Sequence, residues 1–312
     1  MSRAKRETHI ASVVGVDAGA TKTTAALAHG ETIVHRAHGA GANPTLIGVD
    51  AAAEVILRTI REACGDERSE TVAAIQVGVA GAGSPEVAGD LEAILRAAYP
   101  SSNIRVSDDV EIALRAAIPN GPGIVIVAGT GSIALASDGA GNLHRAGGLG
   151  YLLGDEGSAG WIGFEGVRLL GRVYDARAVE EETSRLVARH LSVTDRPSLI
   201  RAIYAESLDV AKIAALAPSI IAFASKGNRA SKAIVERAAS DLAQLTVDVA
   251  SAAHLAEAKP HVALSGGLLR EETLLTALLK AKIASAIPDA VIIAGRDPVE
   301  GAVRLAVVTA GP

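Results

Sequence analysis

The sequence predicts an α/β protein built from two related halves. Short apolar runs of strand character alternate with amphipathic stretches at helical spacing over residues 11–117. The pattern of apolar strand, small-residue turn bearing Thr, and apolar strand at residues 13–27 returns at 123–137. After a mostly helical stretch at 176–257, strands and helices alternate again. Mixed strands with helices between them are typical of α/β architectures, and the repeated pattern indicates an internal duplication.

The first half of the sequence predicts the element order β-β-β-α-β-α-β-α. Strands are predicted at residues 11–17, 22–28, 31–37, 71–83 (a strand running into a glycine loop) and 103–109, and helices at 48–65, 90–99 and 110–117. Gly65 supplies a helix stop. The Pro-Asn-Gly-Pro cluster at 119–122 contains the strongest breakers of regular structure and marks a domain boundary. We therefore expect an N-terminal domain of residues 1–118.

The second half predicts a larger domain with helical insertions. Two strands joined by a glycine turn are predicted over residues 123–137. Later elements are a strand at 261–269, a helix at 271–284, a strand at 290–295 and a last helix from Pro298. This domain is expected to span residues 119–297. The final helix, 298–312, is expected to pack back on the N-terminal domain.

Composition excludes several classes of function. The 312 residues are 49% apolar, which supports a substantial core, and the net charge of −5 with scattered basic residues argues against nucleic-acid binding. Cys64 is the only cysteine, which excludes an internal disulfide and an all-cysteine metal site within one chain. No apolar run reaches the roughly 18 residues of a membrane span. No signal-peptide pattern precedes the first strand. The expectation is a cytoplasmic protein with no membrane partner.

Two common nucleotide-binding motifs do not account for the sequence. A P-loop is excluded because no Gly-Lys dipeptide occurs. Residues 129–134, GTGSIA, match the dinucleotide fingerprint G-x-G-x-x-A, but that fingerprint opens a helix and a strand with a Ser-Asp-Gly turn follows here. His35 and His38 are close in sequence but lack a third metal ligand, so a metal site is not favoured there.

Two glycine-threonine turns suit anion binding instead. They are DAGATKT at residues 17–23 (the first hairpin) and GTGS at 129–132 (the second hairpin). Tight turns with few side chains let backbone N–H groups approach a phosphate, and Thr hydroxyls add donors. Asp17, at a strand end beside the first hairpin, would hold Mg²⁺ through water. The alternative is that both segments are ordinary β-hairpins.

Further candidates lie where other strands end. Asp108 and Asp109 follow a strand and precede a helix; one could cap that helix, while the other could serve as the base that phosphoryl transfer to an alcohol requires. Gly266 and Gly267 could let a flat ring such as adenine lie against the backbone. The alternative for this glycine pair is a simple strand–helix turn.

The segment 147–163, GGLGYLLGDEGSAGWIG, is unlike a plain surface loop. It combines seven glycines with two adjacent carboxylates, Asp155 and Glu156, and with the only tryptophan, Trp161. Large apolar residues separate the glycines. We call it the signature segment.

Taken together, these motifs resemble the actin/hexokinase/Hsp70 ATPase superfamily. Within it, the sequence is similar to the N-acetylglucosamine kinases and the BadF/BadG/BcrA/BcrD ATPase family over about residues 12–308. The signature segment matches the family pattern GGWGxxxGDEGSAxWI, and residues 41–48 match a segment carrying a sugar-contacting Asn. The resemblance implies an α/β fold of two actin-like (ribonuclease H-like) domains with a nucleotide- and sugar-binding cleft between them.

The resemblance also implies roles for individual residues. Asp109 would be the catalytic base and Asp17 the Mg²⁺ residue. Nucleotide contacts are implied at Gly19, Thr21, Lys22, Thr23, Gly129, Thr130, Gly131, Ser132, Gly266 and Gly267. Sugar contacts are implied at Asn43, Asp109, Gly148, Leu149, Gly150 and Asp155. Trp161 is expected to pack in the core behind the loop, and Glu156 to be structural.

Three departures from the family pattern leave the sugar open. The first motif reads D-A-G-A-T-K where D-G-G-G-T-K is common, Leu149 replaces the signature tryptophan, and Asp108 stands where Asn is usual. The extra carboxylate of Asp108 could favour a cationic sugar such as glucosamine. N-acetylmuramic acid and glucose also stay possible, because the acyl-pocket residues cannot be located from one sequence.

The function that the resemblance implies is an ATP-dependent amino-sugar kinase acting on the 6-hydroxyl of N-acetylglucosamine. The alternatives are a glucosamine kinase of the same family and a non-catalytic regulator that binds ATP and sugar. A third class, the ATPase activators of radical dehydratases, holds an iron–sulfur cluster with two cysteines from each subunit, which Cys64 alone cannot supply. Relatives are often dimers, so a homodimer is expected.

Overall fold

The computed structural model describes residues 11–65, 72–204 and 208–311. Within them the chain forms ten strands and twelve helices in two compact units. Unit 1 comprises the described residues of Met1–Asn120 and Arg296–Pro312, and unit 2 comprises those of Gly121–Gly295.

Unit 1 is a five-stranded mixed sheet with helices on both faces. Its elements are β1 (Ser12–Ala18), β2 (Lys22–His29), β3 (Thr32–Ala40), α1 (Pro44–Ile47), α2 (Val49–Cys64), β4 (Ala74–Val79), α3 (Pro85–Ala98), β5 (Asn103–Asp108), α4 (Asp109–Ala117) and the last helix, α12 (Pro298–Ala310). The strand order is β3-β2-β1-β4-β5. The β1–β2 and β2–β3 pairs are antiparallel, and the β1–β4 and β4–β5 pairs are parallel.

Unit 2 repeats this topology. Its elements are β6 (Gly123–Ala128), β7 (Ser132–Ser137), β8 (Leu143–Gly147), α5 (Ala159–Tyr174), α6 (Glu182–Leu191), α7 (Arg196–Ile203), α8 (Val210–Ala214), α9 (Ala217–Ser225), α10 (Arg229–Ala252), β9 (His261–Ser265), α11 (Leu274–Ala286) and β10 (Val291–Ala294). The strand order β8-β7-β6-β9-β10 has the same antiparallel and parallel pairs as the first sheet. The predicted internal duplication is confirmed.

Side chains along the central strands of unit 1 face the two sides of the sheet in turn, and each side has its own apolar core. Val14 and Val16 of β1 face one side, where Ile56 of α2 and Leu91 of α3 are fully buried with them. Val13 faces the other side, in a smaller cluster covered by α12. Successive strand side chains point to opposite faces, so a fully apolar strand requires a cover on each.

Small residues allow these layers to approach closely. The α12 side of the sheet is lined by Ala26, Ala28 and Ala74, and all three are completely buried. Unit 2 relies on longer side chains: its core joins Ile124 and Ile126 of β6 to helices α5, α9 and α10.

The elements that the sequence did not predict have identifiable causes. Helix α5 lies inside and beyond the signature segment, where glycines weaken the helical pattern. Two of these glycines serve close packing: a Cβ at Gly163 would overlap the Ile213 carbonyl oxygen, and one at Gly160 would lie 2.8 Å from the Thr130 carbonyl oxygen. Strand β8 and the one-turn helix α1 were also not foreseen.

Some predicted boundaries shift for local reasons. Helix α3 begins at Pro85, where proline suits the first helical turn, rather than at residue 90. Helix α11 begins at Leu274, because Thr273 caps it by accepting a hydrogen bond from the Thr276 N–H. Strand β9 ends at Ser265, since Gly266 turns the chain with a φ of +89°. Residue 71, the predicted start of β4, lies outside the described residues.

Within the described ranges, no single helix is both long and apolar enough to cross a membrane. The segments Val210–Ser225 and Arg229–Ala252 meet the length and composition criteria only jointly, and they are bent by 112° at their junction.

The contact between α12 and α4 can be tested at Gly301. A Cβ there would overlap the Ile112 carbonyl oxygen and lie 2.5 Å from the Ala116 nitrogen. We predict that Gly301→Ala lowers the free energy of unfolding by about 2–3 kcal/mol, as overpacking typically does. Urea denaturation followed by circular dichroism measures this change.

The matched control is Gly89→Ala in α3, where an added Cβ would meet no heavy atom of the described chain within 4 Å. Alanine is the better helix former, so this variant is expected to be stabilised by about 0.5–1 kcal/mol. Equal effects of the two substitutions would contradict the close α12–α4 packing.

Candidate active site

The first hairpin is a closed turn with a second segment fixed beside it. The Gly19 N–H donates to the Lys22 carbonyl at 2.9 Å, and the Ala42 N–H donates to the Gly19 carbonyl at 3.0 Å. The backbone after β3 is therefore held on the hairpin. This contact brings Asn43, a predicted sugar residue, next to residues predicted to bind phosphate.

The predicted phosphate-binding side chains of the first hairpin have different surroundings. Thr21 and Lys22 are exposed at the turn. Thr23 is buried, and its hydroxyl donates to the Ala40 carbonyl at 2.7 Å. The Thr23 side chain therefore holds β2 against β3, and we retain only Thr21 and Lys22 as side chains for a phosphate.

Asn43 has a structural role that leaves part of its amide for a ligand. Its Oδ1 accepts the Thr45 N–H at 2.9 Å and caps α1. Gly81 lies directly against it, since a Cβ at Gly81 would be 2.5 Å from Asn43 Oδ1 and the Gly81 φ is +87°. The Asn43 amide nitrogen is the group that could donate to a sugar. Gly81 was not among the predicted site residues, although the motif AGAG at residues 80–83 offered a signal.

The parallel strands of unit 1 bring several carboxylates to one edge of the sheet. In the strand register Asp17 is opposite Gly78, and Val79 is opposite Asp108. Asp109 follows directly as the first residue of α4. Because the carboxyl ends of parallel strands meet at the same edge, Asp17 and Asp108 lie at one edge of the sheet, on strands separated only by β4.

Asp108 takes the capping role that the sequence suggested for one residue of the Asp108–Asp109 pair. Asp108 Oδ1 accepts the Val110 N–H at 3.5 Å, which identifies Asp108 as the N-cap of α4. Asp109 is half-buried beside it. Desolvation raises the pKa of Asp109 well above its ordinary value; a hydrogen bond with Asp108 and the negative charges of Asp108 and Asp17 add to the rise.

Asp17 is affected in the same way. Desolvation, followed by the negative charge of Asp297, raises the pKa of Asp17 to about 6, while Lys22 acts in the opposite direction. Carboxylates that repel one another and have lost water favour the binding of a cation. Oxygen ligands of this kind fit Mg²⁺.

Asp17 can nevertheless supply only part of a metal site. Among the described residues, no group of three or more His, Cys, Asp or Glu side chains has the arrangement of a complete metal centre. Mg²⁺ characteristically keeps several waters and binds one or two carboxylates together with substrate phosphates, which agrees with this arrangement. His35 and His38 have different hydrogen-bond partners, the Ala63 carbonyl and the Thr24 hydroxyl.

Asp297 is a member of this carboxylate group that the sequence did not reveal. It caps α12 by accepting the Val299 N–H at 3.3 Å, and it forms an ion pair with Arg36 of β3. Its charge also acts on Asp17. We call Asp17, Asp108, Asp109 and Asp297 the acid edge of unit 1. The only local signal for Asp297 was its place before a proline at a helix start.

The second hairpin and the signature segment form one hydrogen-bonded structure in unit 2. The hairpin closes through the Gly129 N–H, which donates to the Gly131 carbonyl at 2.9 Å. The Ala159 and Gly160 N–H groups at the start of α5 donate to the Gly129 and Thr130 carbonyls at 2.9 and 3.1 Å. The first N–H groups of a helix have no partner within it, so the hairpin satisfies them.

Two side chains complete this connection. The Ser132 hydroxyl donates to the Glu156 carbonyl at 2.8 Å. Asp155 Oδ1 accepts the Ser132 N–H at 3.2 Å, and desolvation raises the pKa of Asp155 while hydrogen bonds from the Ser132 and Gly150 N–H groups lower it. Asp155 has a φ of +59°, a conformation uncommon for residues other than glycine. The predicted sugar residue Asp155 thus contacts the predicted phosphate-binding hairpin directly.

The three leucines of the signature segment face solvent. Leu149, Leu152 and Leu153 are 64%, 80% and 77% exposed. Gly148 and Gly150 have φ angles of +67° and +82°, which only glycine adopts without strain. The segment therefore presents backbone and apolar side chains on the surface of unit 2.

Trp161 packs against the core of unit 2, as predicted, and the Arg237 guanidinium lies 4.8 Å from its ring centroid. Gly266 brings the chain against the end of β6: a Cβ there would overlap the Ala128 carbonyl oxygen, which also accepts the Leu268 N–H at 3.0 Å. Gly267 is open, since no heavy atom of the described chain lies within 4 Å of its Cβ position. The predicted nucleoside glycines thus lie beside the second hairpin.

An apolar pocket of about 800 Å³ in unit 2 is lined by residues of the signature segment and of helices α5 and α7. Tyr151 lines it, with its ring stacked on Phe164 at 5.8 Å between centroids. None of the residues predicted to bind sugar or nucleotide lines this pocket.

The sequence profile of the BadF/BadG/BcrA/BcrD ATPase family matches residues 14–306. The chain belongs to this family. The resemblance drawn from the motifs is confirmed, and so is the predicted α/β fold with two actin-like halves.

Three similar proteins carry related names. The N-acetylmuramic acid/N-acetylglucosamine kinase of Clostridium acetobutylicum is 26% identical over 260 residues, which cover 82% of this chain and 85% of that protein. The N-acetyl-D-glucosamine kinase of Dictyostelium discoideum is 27% identical, covering 94% of this chain and 97% of that protein. The solved structure of a proposed N-acetylglucosamine kinase from Chromobacterium violaceum has a TM-score of 0.77 at 25% identity and covers 96% of this chain and 99% of that one.

The raised pKa of Asp109 predicts an effect on stability with a definite sign. The fold favours the protonated carboxyl, so its contribution is complete below the ordinary pKa and is lost as the pH rises through the raised pKa. At about pH 8 without divalent cations, Asp109→Asn should therefore raise Tm, by about 2–4 °C for each kcal/mol gained. Differential scanning fluorimetry measures this difference.

The same two proteins at about pH 4 provide the control. This pH is close to the ordinary pKa of an aspartate, so a carboxyl whose pKa is raised is largely protonated in the folded protein. The gain in Tm from Asp109→Asn should shrink there. A gain that does not depend on pH would contradict the assignment of a raised pKa to Asp109.

Proposed function

We propose that this chain is an ATP-dependent amino-sugar kinase that transfers the γ-phosphoryl group of ATP to the 6-hydroxyl of N-acetylglucosamine. The names of the two curated relatives and of the structural neighbour support the substrate class. Membership of an ATPase family supports the use of ATP. The observation that carries the proposal is Asp109, a half-buried carboxyl with a raised pKa at the edge of the sheet where Asp17 and the first hairpin lie.

In the proposed reaction Asp109 accepts the proton of the sugar 6-hydroxyl. The sugar O6 forms a bond to the γ-phosphorus as the bond between that phosphorus and the β-phosphate oxygen breaks. The products are a sugar 6-phosphate and ADP, and the proton taken up by Asp109 is released to solvent. A base works best when its pKa lies near the operating pH, so the raised pKa of Asp109 suits this role.

The other predicted residues are assigned to binding the metal ion, the nucleotide and the sugar. Asp17 would hold Mg²⁺, and this ion when bound would neutralise phosphate charge. Thr21, Lys22 and the backbone N–H groups of the two hairpins would bind phosphates, with Gly266 and Gly267 near the nucleoside. Asn43, Asp155 and the backbone of 148–150 would bind the sugar hydroxyls, since a carboxylate accepts several hydrogen bonds at once.

The geometry of Asp108 bears on the choice between N-acetylglucosamine and glucosamine. A carboxylate in place of the usual asparagine suggested a cationic sugar. Asp108 instead accepts the Val110 N–H as the cap of α4 and forms a hydrogen bond with Asp109. Because its oxygens have these local roles, we favour the uncharged N-acetylglucosamine.

Two further assignments accompany the proposal. ATP-dependent phosphorylation requires the cellular ATP pool, so we place the protein in the cytoplasm. The resemblance to dimeric relatives suggests a homodimer, which size-exclusion chromatography with light scattering would test.

The first test is a coupled ADP-release assay with Mg·ATP and four sugars: N-acetylglucosamine, glucosamine, N-acetylmuramic acid and glucose. N-acetylglucosamine should give the highest kcat/KM, and ³¹P NMR should place the product phosphate on O6. In Asp109→Asn, kcat should fall by at least about 10²–10⁴, the usual value of general-base assistance. Binding of an ATP analogue to this variant, measured by calorimetry, shows that the loss is chemical.

The outcomes separate the candidate functions. Highest turnover with glucosamine would overturn the choice of sugar. Turnover that survives Asp109→Asn would move the base to another carboxylate. A folded protein that binds ATP and sugar without releasing ADP would contradict the kinase and favour the regulator.

The Mg²⁺ assignment has its own test. Asp17→Asn removes a carboxylate next to the first hairpin, so the Mg²⁺ concentration for half-maximal activity should rise by about tenfold or more, the scale of a lost metal-site interaction. Titration of MgCl₂ at fixed ATP measures this. An unchanged Mg²⁺ dependence would remove Asp17 from the metal site.

A further inference from the structure

Asp155 connects the signature segment to the second hairpin through close contacts that leave no room for a side chain at position 131. Its Oδ1 accepts the Ser132 N–H at 3.2 Å. A Cβ at Gly131 would lie 2.8 and 2.9 Å from the two Asp155 carboxylate oxygens. The carboxylate therefore lies directly on the hairpin, and glycine at position 131 makes this approach possible.

The surrounding structure holds the carboxylate in this position. The Gly150 N–H also donates to it, and the Ser132 hydroxyl fixes the neighbouring Glu156 carbonyl at 2.8 Å. The left-handed backbone of Asp155, with a φ of +59°, persists only where several contacts determine it. All of these contacts lie within unit 2.

This position creates an electrostatic conflict, given the proposed function. The second hairpin is proposed to bind nucleotide phosphates, and Asp155 places a negative charge against it. The same carboxylate also occupies the Ser132 N–H, a donor that a phosphate would otherwise use. Hydroxyl groups donating to a carboxylate disperse its charge, and the proposed sugar supplies such hydroxyls.

We infer that Asp155 couples the two ligands: without sugar its carboxylate opposes phosphate binding at residues 129–132, and a bound sugar relieves that opposition. This inference rests on the proposed function and deepens it. Sugar should therefore tighten nucleotide binding, and by thermodynamic linkage nucleotide should tighten sugar binding by the same factor. The consequence is that nucleotide is held more weakly when no acceptor sugar is bound, which limits transfer of the phosphoryl group to water.

The test is calorimetry with Mg·AMPPNP, a non-hydrolysable ATP analogue, in the absence and presence of saturating N-acetylglucosamine. For the unaltered protein, the sugar should lower the nucleotide Kd by about 5–50-fold, within the usual range of coupling between sites. In Asp155→Asn, the nucleotide should bind several-fold tighter than to the unaltered protein without any sugar. The effect of sugar on nucleotide Kd should fall to near unity.

Two features make Asp155→Asn a sharp probe. Asparagine accepts the same backbone N–H and tolerates the left-handed conformation, so the fold is expected to persist. A purely structural role for Asp155 would weaken nucleotide binding, which is the opposite sign. Glu156→Gln is the matched control, because it removes the adjacent exposed carboxylate while keeping the Glu156 backbone carbonyl that Ser132 uses. This control should behave as the unaltered protein does.

The failures are distinguishable. Nucleotide binding to Asp155→Asn that is equal or weaker, or a sugar that binds without changing nucleotide Kd, would overturn the coupling while sugar-dependent ADP release still supported the kinase. Absence of both AMPPNP binding and ADP release would overturn the proposed function, and the inference with it.

Discussion

The parallel register of β1, β4 and β5 is the constraint on which the candidate chemistry of unit 1 depends. It places Asp17 and Asp108 at one sheet edge, where the residues opposite them on β4 are Gly78 and Val79. Gly78 carries no side chain, and Ile112 of α4 fills the space above it, since a Cβ there would lie 2.6 Å from Ile112 Cγ1. The position of α4, and therefore of Asp109, follows from that contact. Strand register and the contact at one glycine thus position Asp17, Asp108 and Asp109 more precisely than a loop would.

The duplicated topology supplies two similar turns, and the two units use them differently. In unit 1 the turn is backed by the segment around Ala42 and faces the acid edge. In unit 2 the start of α5 donates to the turn, and the signature segment encloses it. Each sheet therefore provides backbone N–H donors in the turn that follows its first strand, while the residues around the two turns differ in charge. The two units thus share one strand topology and differ in the residues that surround the turn.

Strong local patterns allowed much of the fold to be predicted. Buried strands such as β1 and β6 and the amphipathic helix α2 were predicted because alternation and helical spacing are local properties. Helix α5 was missed because its glycines, which serve packing against distant residues such as Ile213, lower its helical propensity. In the candidate site, motif position identified Asp109 and Asp155 but not the direction of the Thr23 hydroxyl or the approach of Asp297, since both depend on tertiary contacts.

Two unfavourable local features lie where the ligands are proposed to bind. Of the described residues other than glycine with positive φ, four follow helices or lie in a turn before a strand: Ala176, Ser192, His254 and Lys259. Asp155 alone lies in the signature segment, and its carboxylate is partly desolvated as well. The acid edge similarly brings carboxylates together, and desolvation with the neighbouring negative charges raises the pKa values of Asp17 and Asp109. Such features persist only if the surrounding structure determines them. A bound cation would relieve the repulsion within the acid edge, and sugar hydroxyls donating to Asp155 would disperse its charge.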